Sequence, residues 1–113
     1  MRLAALLLAA IALCLTVDGK PTAPYRTVIG DTGSMRPLWH GGEICVVSAF
    51  PFDLVAPGMI VVAEHHSMNV GHDVIAVRRA ANGQKYLITK GRANARRDPW
   101  VTTAKEYIGI IVP

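Results

Sequence analysis

The stretch HDVIAVRRAANGQKYLIT, residues 72–89, decides the fold. Both of its ends are rich in valine, isoleucine, leucine and tyrosine, the side chains that are enriched in β-strands. Between them lies Asn82-Gly83, a pair that adopts the positive φ angles of a tight hairpin turn. The stretch therefore predicts two antiparallel strands, at residues 72–78 and 86–89.

Further short apolar runs surround this hairpin. They lie at residues 27–29, 43–47, 59–64 and 107–112, with turn signals at Gly41-Gly42, Pro57-Gly58 and Gly91. Beyond the N-terminal segment there is no helical periodicity except a turn near residues 102–105. Six short strands at regular spacing predict an all-β fold, a coiled antiparallel sheet or partial β-barrel.

Length and composition allow one domain. The chain has 113 residues, of which 51% are hydrophobic and 18% charged, a balance that excludes a disordered chain. The net charge of +4 suits contact with anionic lipid or nucleic acid, without deciding between them. Its two cysteines, Cys14 and Cys45, cannot form a disulfide framework, and Cys45 is expected to pack as a small hydrophobe.

The N-terminus is predicted to be a targeting or anchoring segment. Arg2 precedes an apolar run that ends at Val17, and 15 helical residues extend about 22 Å, less than the roughly 30 Å of a bilayer core. Residues 1–19 are therefore interpreted as a signal peptide or a signal anchor, with cleavage and retention both open. Residues 20–27 form a linker, and residues 28–113 form the folded domain, on the extracytoplasmic side.

Candidate chemistry begins at Gly30-Asp31-Thr32-Gly33-Ser34-Met35-Arg36-Pro37, which in isolation is typical of a surface turn. An ordered set of motifs accompanies it along the chain. The set resembles the catalytic domain of type I signal peptidases, in the histidine-base branch found in the endoplasmic reticulum and archaea. Its later members are Gly42-Glu43-Ile44, Pro57-Gly58-Met59-Ile60-Val61-Val62, His72-Asp73-Val74-Ile75-Ala76-Val77, Thr89-Lys90-Gly91-Arg92-Ala93-Asn94 and Asp98-Pro99-Trp100.

This resemblance implies roles for particular residues. Ser34 matches the nucleophile, His72 its base and Asp98 the acidic third member, and the Ser34 N–H and Thr32 match the oxyanion-hole donors. It also implies the all-β signal-peptidase core, an extended signal or leader peptide as substrate, cleavage after small residues, and a nearby membrane surface. No metal, organic cofactor or nucleic acid is implied.

The chemistry of the residues agrees with this assignment. A serine hydroxyl needs a neighbouring base, and a neutral imidazole suits that task near pH 7. A lysine base would have to be buried to lower its pKa, and neither Lys85 nor Lys90 is predicted to be a buried strand residue. Asp98 could instead be a loop residue that begins an Asp-Pro turn.

Two positions depart from the family pattern. An arginine usually follows the base and an aspartate usually follows the glycine of the Lys-Gly motif, whereas this chain has Asp73 and Arg92 there. We expect the exchanged charges to form one ion pair across adjacent strands. Met59 also stands where an aspartate is usual.

Three alternative functions stay open. The first is a specialised maturation peptidase for a single pilin, transfer or metalloenzyme precursor, and the second is an inactive relative that binds exported peptides. The third is a nucleic-acid-binding β-barrel, in which Arg92, Arg96 and Arg97 would act beside Trp100.

His65-His66 could ligate a metal, but an exposed loop is the preferred interpretation because no further ligand motif accompanies the pair.

Overall fold

The structure is a computed structural model that describes residues 16–17, 20–21, 25–28, 34–38, 42 and 44–112. Strands account for most of it, and its helical content is a single 3-10 turn at Phe52–Leu54. The strands are β1 (Thr16–Val17), β2 (Lys20–Pro21), β3 (Tyr25–Val28), β4 (Ile44–Val47), β5 (Ile60–His65), β6 (Met68–Arg79), β7 (Lys85–Lys90), β8 (Val101–Thr102) and β9 (Tyr107–Ile111).

The main feature is a curled antiparallel sheet of five strands that forms half of a barrel, in the order β8-β7-β6-β5-β9. Strands β3 and β4 pair separately, with Tyr25 opposite Val47 at one end of the ladder. Ser48, just after β4, exchanges backbone hydrogen bonds with Ile110 of β9. This bridge connects the β3–β4 ladder to the edge of the main sheet.

Strand β5 is covered on both faces. Its residues 60–63 are all buried, and alternate side chains along a strand point to opposite sides. Ile60 and Val62 enter one apolar cluster, which we call the first cluster; its other buried members are Met35, Val47 and Ile111. Val61 enters a second cluster, completed by Val55, Val74, Leu87 and Tyr107. Residues 60–63 of β5 are therefore apolar on both faces, because each face packs against its own cluster.

The hairpin predicted between residues 72 and 89 is present, because β6 pairs with β7 in antiparallel register. Strand β6 starts earlier than predicted, at Met68 instead of residue 72. The reason is a tight turn at His66 and Ser67, whose φ angles of 54° and 63° allow β5 and β6 to pair up to His65 and Met68. The expectation of an exposed loop there was therefore wrong for His65, which is a half-buried strand residue.

Strand β7 includes Lys85 and Lys90, one residue beyond the predicted strand at each end. The Lys85 ammonium donates hydrogen bonds of 2.8, 3.0 and 2.8 Å to the carbonyls of Phe52, Asp53 and Val55. These carbonyls belong to the 3-10 turn and the residue after it, where a helical segment leaves acceptors without internal partners. Lys85 thus fastens this turn to the sheet.

The predicted N-terminal helix falls mostly on residues outside those described. At the end of the predicted segment, Thr16–Val17 pair with Lys20–Pro21 as two short strands, so Thr16 and Val17 are extended and not helical. In the described part of the chain, we find no helix of the length and apolarity that a bilayer crossing would need. The domain boundaries after residues 19 and 27 stay predictions.

Candidate active site

His72 is placed by the centre of the sheet. It lies on β6 opposite Val61 of β5, and only 7% of its surface is exposed. Val74, two residues further on, is opposite Thr89 of β7. Because alternate residues of a strand share a face and opposed residues face the same way, His72, Val74 and Thr89 lie on one side of the sheet.

Ser34 is placed by its neighbour in sequence. It begins the turn of residues 34–38, in which the Leu38 N–H donates to the Met35 carbonyl over 2.9 Å. The Met35 side chain is 1% exposed and packs in the first cluster, against Val47 and Ile60 among others. Burial of this one flexible apolar side chain anchors the turn that carries Ser34 on the first cluster.

The segment that follows β7 closes over the same turn. The Ala93 N–H donates to the Ser34 carbonyl over 2.7 Å, and the Arg92 N–H points at the Met35 sulfur at 3.3 Å. Gly91 allows this approach: a Cβ atom there would lie 2.7 Å from Ser34 Cβ and 2.8 Å from the Ser34 carbonyl oxygen. Real carbon atoms do not come so close, so a side chain at position 91 would displace the serine.

Ser34, His72 and Asp98 form one hydrogen-bonded chain, although 38 and 26 residues separate them in sequence. His72 Nδ1 lies 2.6 Å from Asp98 Oδ2, and His72 Nε2 lies 2.8 Å from Ser34 Oγ. A carboxylate can only accept, so the Nδ1–H donates to Asp98. In the neutral ring Nε2 is then an acceptor, and the Ser34 hydroxyl donates to it.

Asp98 has a second donor that the sequence analysis did not identify. The buried Thr89 hydroxyl donates to the same oxygen, Oδ2, over 2.6 Å. Burial alone would raise the pKa of Asp98, but the hydrogen bonds from His72 and Thr89 lower it below its ordinary value. Asp98 is therefore ionised at neutral pH.

Asp73 and Arg92 form the ion pair that the exchanged charges suggested. Arg92 Nη2 lies 2.9 Å from Asp73 Oδ1, and Arg92 Nε lies 3.2 Å from Asp73 Oδ2. The two nitrogens engage both carboxylate oxygens, and this bond raises the pKa of the guanidinium. The pair joins β6, next to His72, to the segment that carries Gly91.

Of the other residues considered for the site, Lys85 and Lys90 have structural partners, and Thr32 lies outside the residues that the structure describes. Thr32 is outside the described residues, so its role as an oxyanion donor stays a prediction. The Lys90 ammonium donates to the carbonyls of Gly91 and Arg92, at 3.1 and 3.4 Å. Lys85 binds the 3-10 turn, as described above. Both amines therefore have structural partners in this part of the chain.

The side chains of His65 and Trp100 pack against each other. Their rings stack at 4.8 Å between centroids, and His65 Nε2 lies 3.0 Å from the Thr102 hydroxyl. Burial lowers the pKa of His65, against the opposing charges of Glu106 and Asp98. Among the described residues, no cluster of three or more His, Cys, Asp or Glu side chains could hold a metal ion. Of the residues proposed for a nucleic-acid surface, Trp100 stacks on His65 and Arg92 pairs with Asp73, whereas Arg96 and Arg97 are exposed, so this alternative stays untested.

Chemically, the site consists of a serine hydroxyl hydrogen-bonded to Nε2 of an imidazole, whose Nδ1–H is hydrogen-bonded to a carboxylate. Such an arrangement can pass the hydroxyl proton to Nε2 while the carboxylate stabilises the resulting imidazolium. The fold and the site thus define a class: a curled antiparallel half-barrel in which a serine, a histidine and an aspartate form one hydrogen-bonded chain.

Sequence comparison relates the chain to one group of known proteins. It is 35% identical over 65 residues to the signal peptidase complex catalytic subunit SEC11C of Homo sapiens, Mus musculus and Canis lupus familiaris. The matched region is 56% of this chain and 34% of each relative, so the chain spans about a third of the length of the curated relatives it matches. No protein-family model matches the chain. No solved structure matches it either.

We expect Gly91→Ala to uncouple Ser34 from His72, because the added methyl group would overlap the serine backbone. The rate at which a peptidyl phosphonate diester with a small terminal residue phosphonylates Ser34, forming a P–O bond and releasing its alcohol leaving group, should fall by up to about a hundredfold, the effect of a displacement near 1 Å. Gly83→Ala is the matched control: its φ of 84° brings strain, but nothing lies within 4 Å of the new methyl group. A phosphonylation rate in Gly91→Ala equal to that of Gly83→Ala would contradict the close approach.

The Asp73–Arg92 pair predicts a charge-reversal result. Asp73→Arg and Arg92→Asp should each lower the free energy of unfolding, by up to about 1 kcal/mol for so exposed a pair, because each places like charges together. The double reversal should recover most of the loss in chemical denaturation, since it restores opposite charges. Additive losses in the double variant would show that the two side chains do not interact.

Proposed function

We propose that the chain is a serine endopeptidase of the signal-peptidase type, with Ser34 as nucleophile, His72 as general base and Asp98 as its carboxylate partner. The observation that carries this proposal is the hydrogen-bonded chain from Ser34 Oγ through both imidazole nitrogens to Asp98 Oδ2. The sequence similarity to signal-peptidase catalytic subunits supports the same reaction class. Signal or leader peptides of exported or membrane proteins are the proposed substrates.

The proposed acylation step follows from the hydrogen-bond directions. Ser34 Oγ attacks the scissile carbonyl carbon while its proton moves to His72 Nε2, giving a tetrahedral intermediate and an imidazolium. The ionised Asp98 stabilises that imidazolium through Nδ1–H. The intermediate then collapses, the peptide C–N bond breaks, and Nε2–H protonates the leaving amine.

Deacylation reverses these roles with water. His72 Nε2 takes a proton from water as the water oxygen attacks the acyl carbon, and the proton returns to Ser34 Oγ when the ester bond breaks. Two donors are proposed for the oxyanion in both steps: the Ser34 backbone N–H and the Thr32 hydroxyl. An oxyanion hole of this kind contributes about 3–4 kcal/mol per donor to lowering the barrier.

The substrate is proposed to bind as an extended strand at a sheet edge, where backbone hydrogen bonds supply affinity and side-chain pockets supply selectivity. Small residues before the cleaved bond would fit pockets beside Ser34. We place the reaction on the extracytoplasmic side, with residues 1–19 as the targeting or anchoring segment and the membrane surface nearby.

An inactive, peptide-binding relative would be favoured if the exchanged charges at Asp73 and Arg92 left β6 unconnected to the segment after β7. The two residues form a two-point ion pair between these segments, which supports the peptidase proposal. A peptidase that serves a single precursor stays compatible with the geometry and differs only in its client.

Cleavage of a panel of signal-peptide substrates with small residues before the cut site tests the proposal. The purified full chain in detergent should cleave at least one, and Ser34→Ala should reduce kcat at least about a thousandfold, as loss of a nucleophile does. Ser48→Ala is the control, because Ser48 bridges β9 through its backbone alone in the bonds described above. Retained cleavage by Ser34→Ala would exclude the nucleophile, and an inactive wild type would favour the peptide-binding alternative.

A further inference from the structure

The Thr89 hydroxyl donates to the one carboxylate oxygen that also accepts from His72. The distances from Thr89 Oγ1 and His72 Nδ1 to Asp98 Oδ2 are both 2.6 Å. Two donors that reach the same oxygen from different residues restrain its position from two directions, and both bonds to the ionised carboxylate are of the strong, charge-assisted kind. A carboxylate bonded to His72 alone would lack the second of these restraints.

The backbone adds a second connection between the same residues. The Asp98 N–H donates to the Thr89 carbonyl over 2.8 Å, so main chain and side chain of Asp98 are both fastened to Thr89. Asp98 itself lies in no strand, in a segment that continues to β8. Thr89 therefore connects Asp98, which lies outside the strands, to the rigid β6–β7 ladder.

The register gives Thr89 this role. Thr89 is opposite Val74, and His72 is two residues before Val74 on the same strand, so Thr89 and His72 are diagonal neighbours on one face. Asp98 bonds to both. Exposed fractions of 2% for Thr89 and 7% for Asp98 leave little access for a water molecule to replace the hydroxyl.

We infer that Thr89 is a positioning residue, whose hydroxyl holds the Asp98 carboxylate in the orientation that keeps Oδ2 on His72 Nδ1. The inference rests on the proposed function, since Asp98 matters for catalysis only if His72 is the base. A purely structural threonine would serve the strand through its β-branched shape. The hydroxyl and the shape can be separated, because valine keeps the shape and serine keeps the hydroxyl.

The test compares Thr89→Val, Thr89→Ser and the wild type in the full chain, with the signal-peptide panel as substrate. Thr89→Val should lower kcat about tenfold to a hundredfold with KM unchanged, the range for loss of a hydrogen bond to a charged group. The kcat of Thr89→Ser should stay within about threefold of the wild-type value, because serine keeps the hydroxyl. The matched control is Thr102→Val, another buried strand threonine, whose hydroxyl bonds to His65; its kcat should be unchanged.

A second readout needs no substrate. The His72 Nδ1 proton, followed by NMR, should exchange with solvent faster in Thr89→Val than in the wild type, and Thr89→Ser should restore slow exchange. The inference would be overturned if Thr89→Val kept the wild-type kcat and the wild-type rate of proton exchange. It would also be overturned if the kcat of Thr89→Ser were as low as that of Thr89→Val. A wild type that cleaves nothing would count against the proposed function, and the proton exchange would still decide the role of Thr89.

Discussion

The burial of Met35 is the constraint on which the site depends. Ser34 lies in a turn outside the strands, and no ladder fixes its hydroxyl. Its neighbour Met35 is almost fully buried in the first cluster, against residues of β4, β5 and β9. Truncating a buried methionine side chain to alanine typically costs about 2–5 kcal/mol, so the burial of Met35 contributes strongly to holding the turn on the sheet.

Close approach of two backbones completes the placement. The segment from Gly91 to Ala93 bonds to the Ser34 carbonyl, which requires a residue without a side chain at position 91. The Asp73–Arg92 pair connects this segment to β6 beside His72. Ser34 is thus positioned by the burial of Met35 and by the hydrogen bond from the Ala93 N–H, whereas His72 is positioned by strand β6.

The charge of buried Asp98 is compensated by its hydrogen-bond donors. Asp98 would be costly to bury as an ion, but two donors converge on it and lower its pKa despite the desolvation. A carboxylate that is ionised at neutral pH favours the Nδ1–H tautomer of His72, and in that tautomer Nε2 can accept the serine proton. The ionisation of one residue therefore determines the direction of both hydrogen bonds of its neighbour.

Much of the strand pattern could be predicted because it depends on local sequence. Alternating apolar residues and the Asn82-Gly83 turn locate β6 and β7 within a few residues, and the run at residues 59–64 locates β5. The early start of β6 was missed because His66 and Ser67 adopt positive φ, which neither residue type signals strongly. Strand β8 was missed because two residues carry no periodicity.

The site was predictable where motifs mark it and not where contacts alone define it. Ser34, His72 and Asp98 were selected by motif order, and the structure brings the three side chains together. Thr89 was quoted in a motif but given no role, because its importance comes from register with Val74 and from a bond to a residue nine positions away. The stacking of His65 on Trp100 is likewise a long-range contact that local sequence does not encode.

The most direct test of this account is the tautomer of His72, observed by NMR of its two imidazole nitrogens at neutral pH. The account predicts a protonated Nδ1, hydrogen-bonded to Asp98, and an unprotonated Nε2 whose resonance changes when Ser34 is replaced by alanine. A proton on Nε2, or an Nε2 resonance that does not respond to Ser34→Ala, would show that the serine and the imidazole are not joined as described.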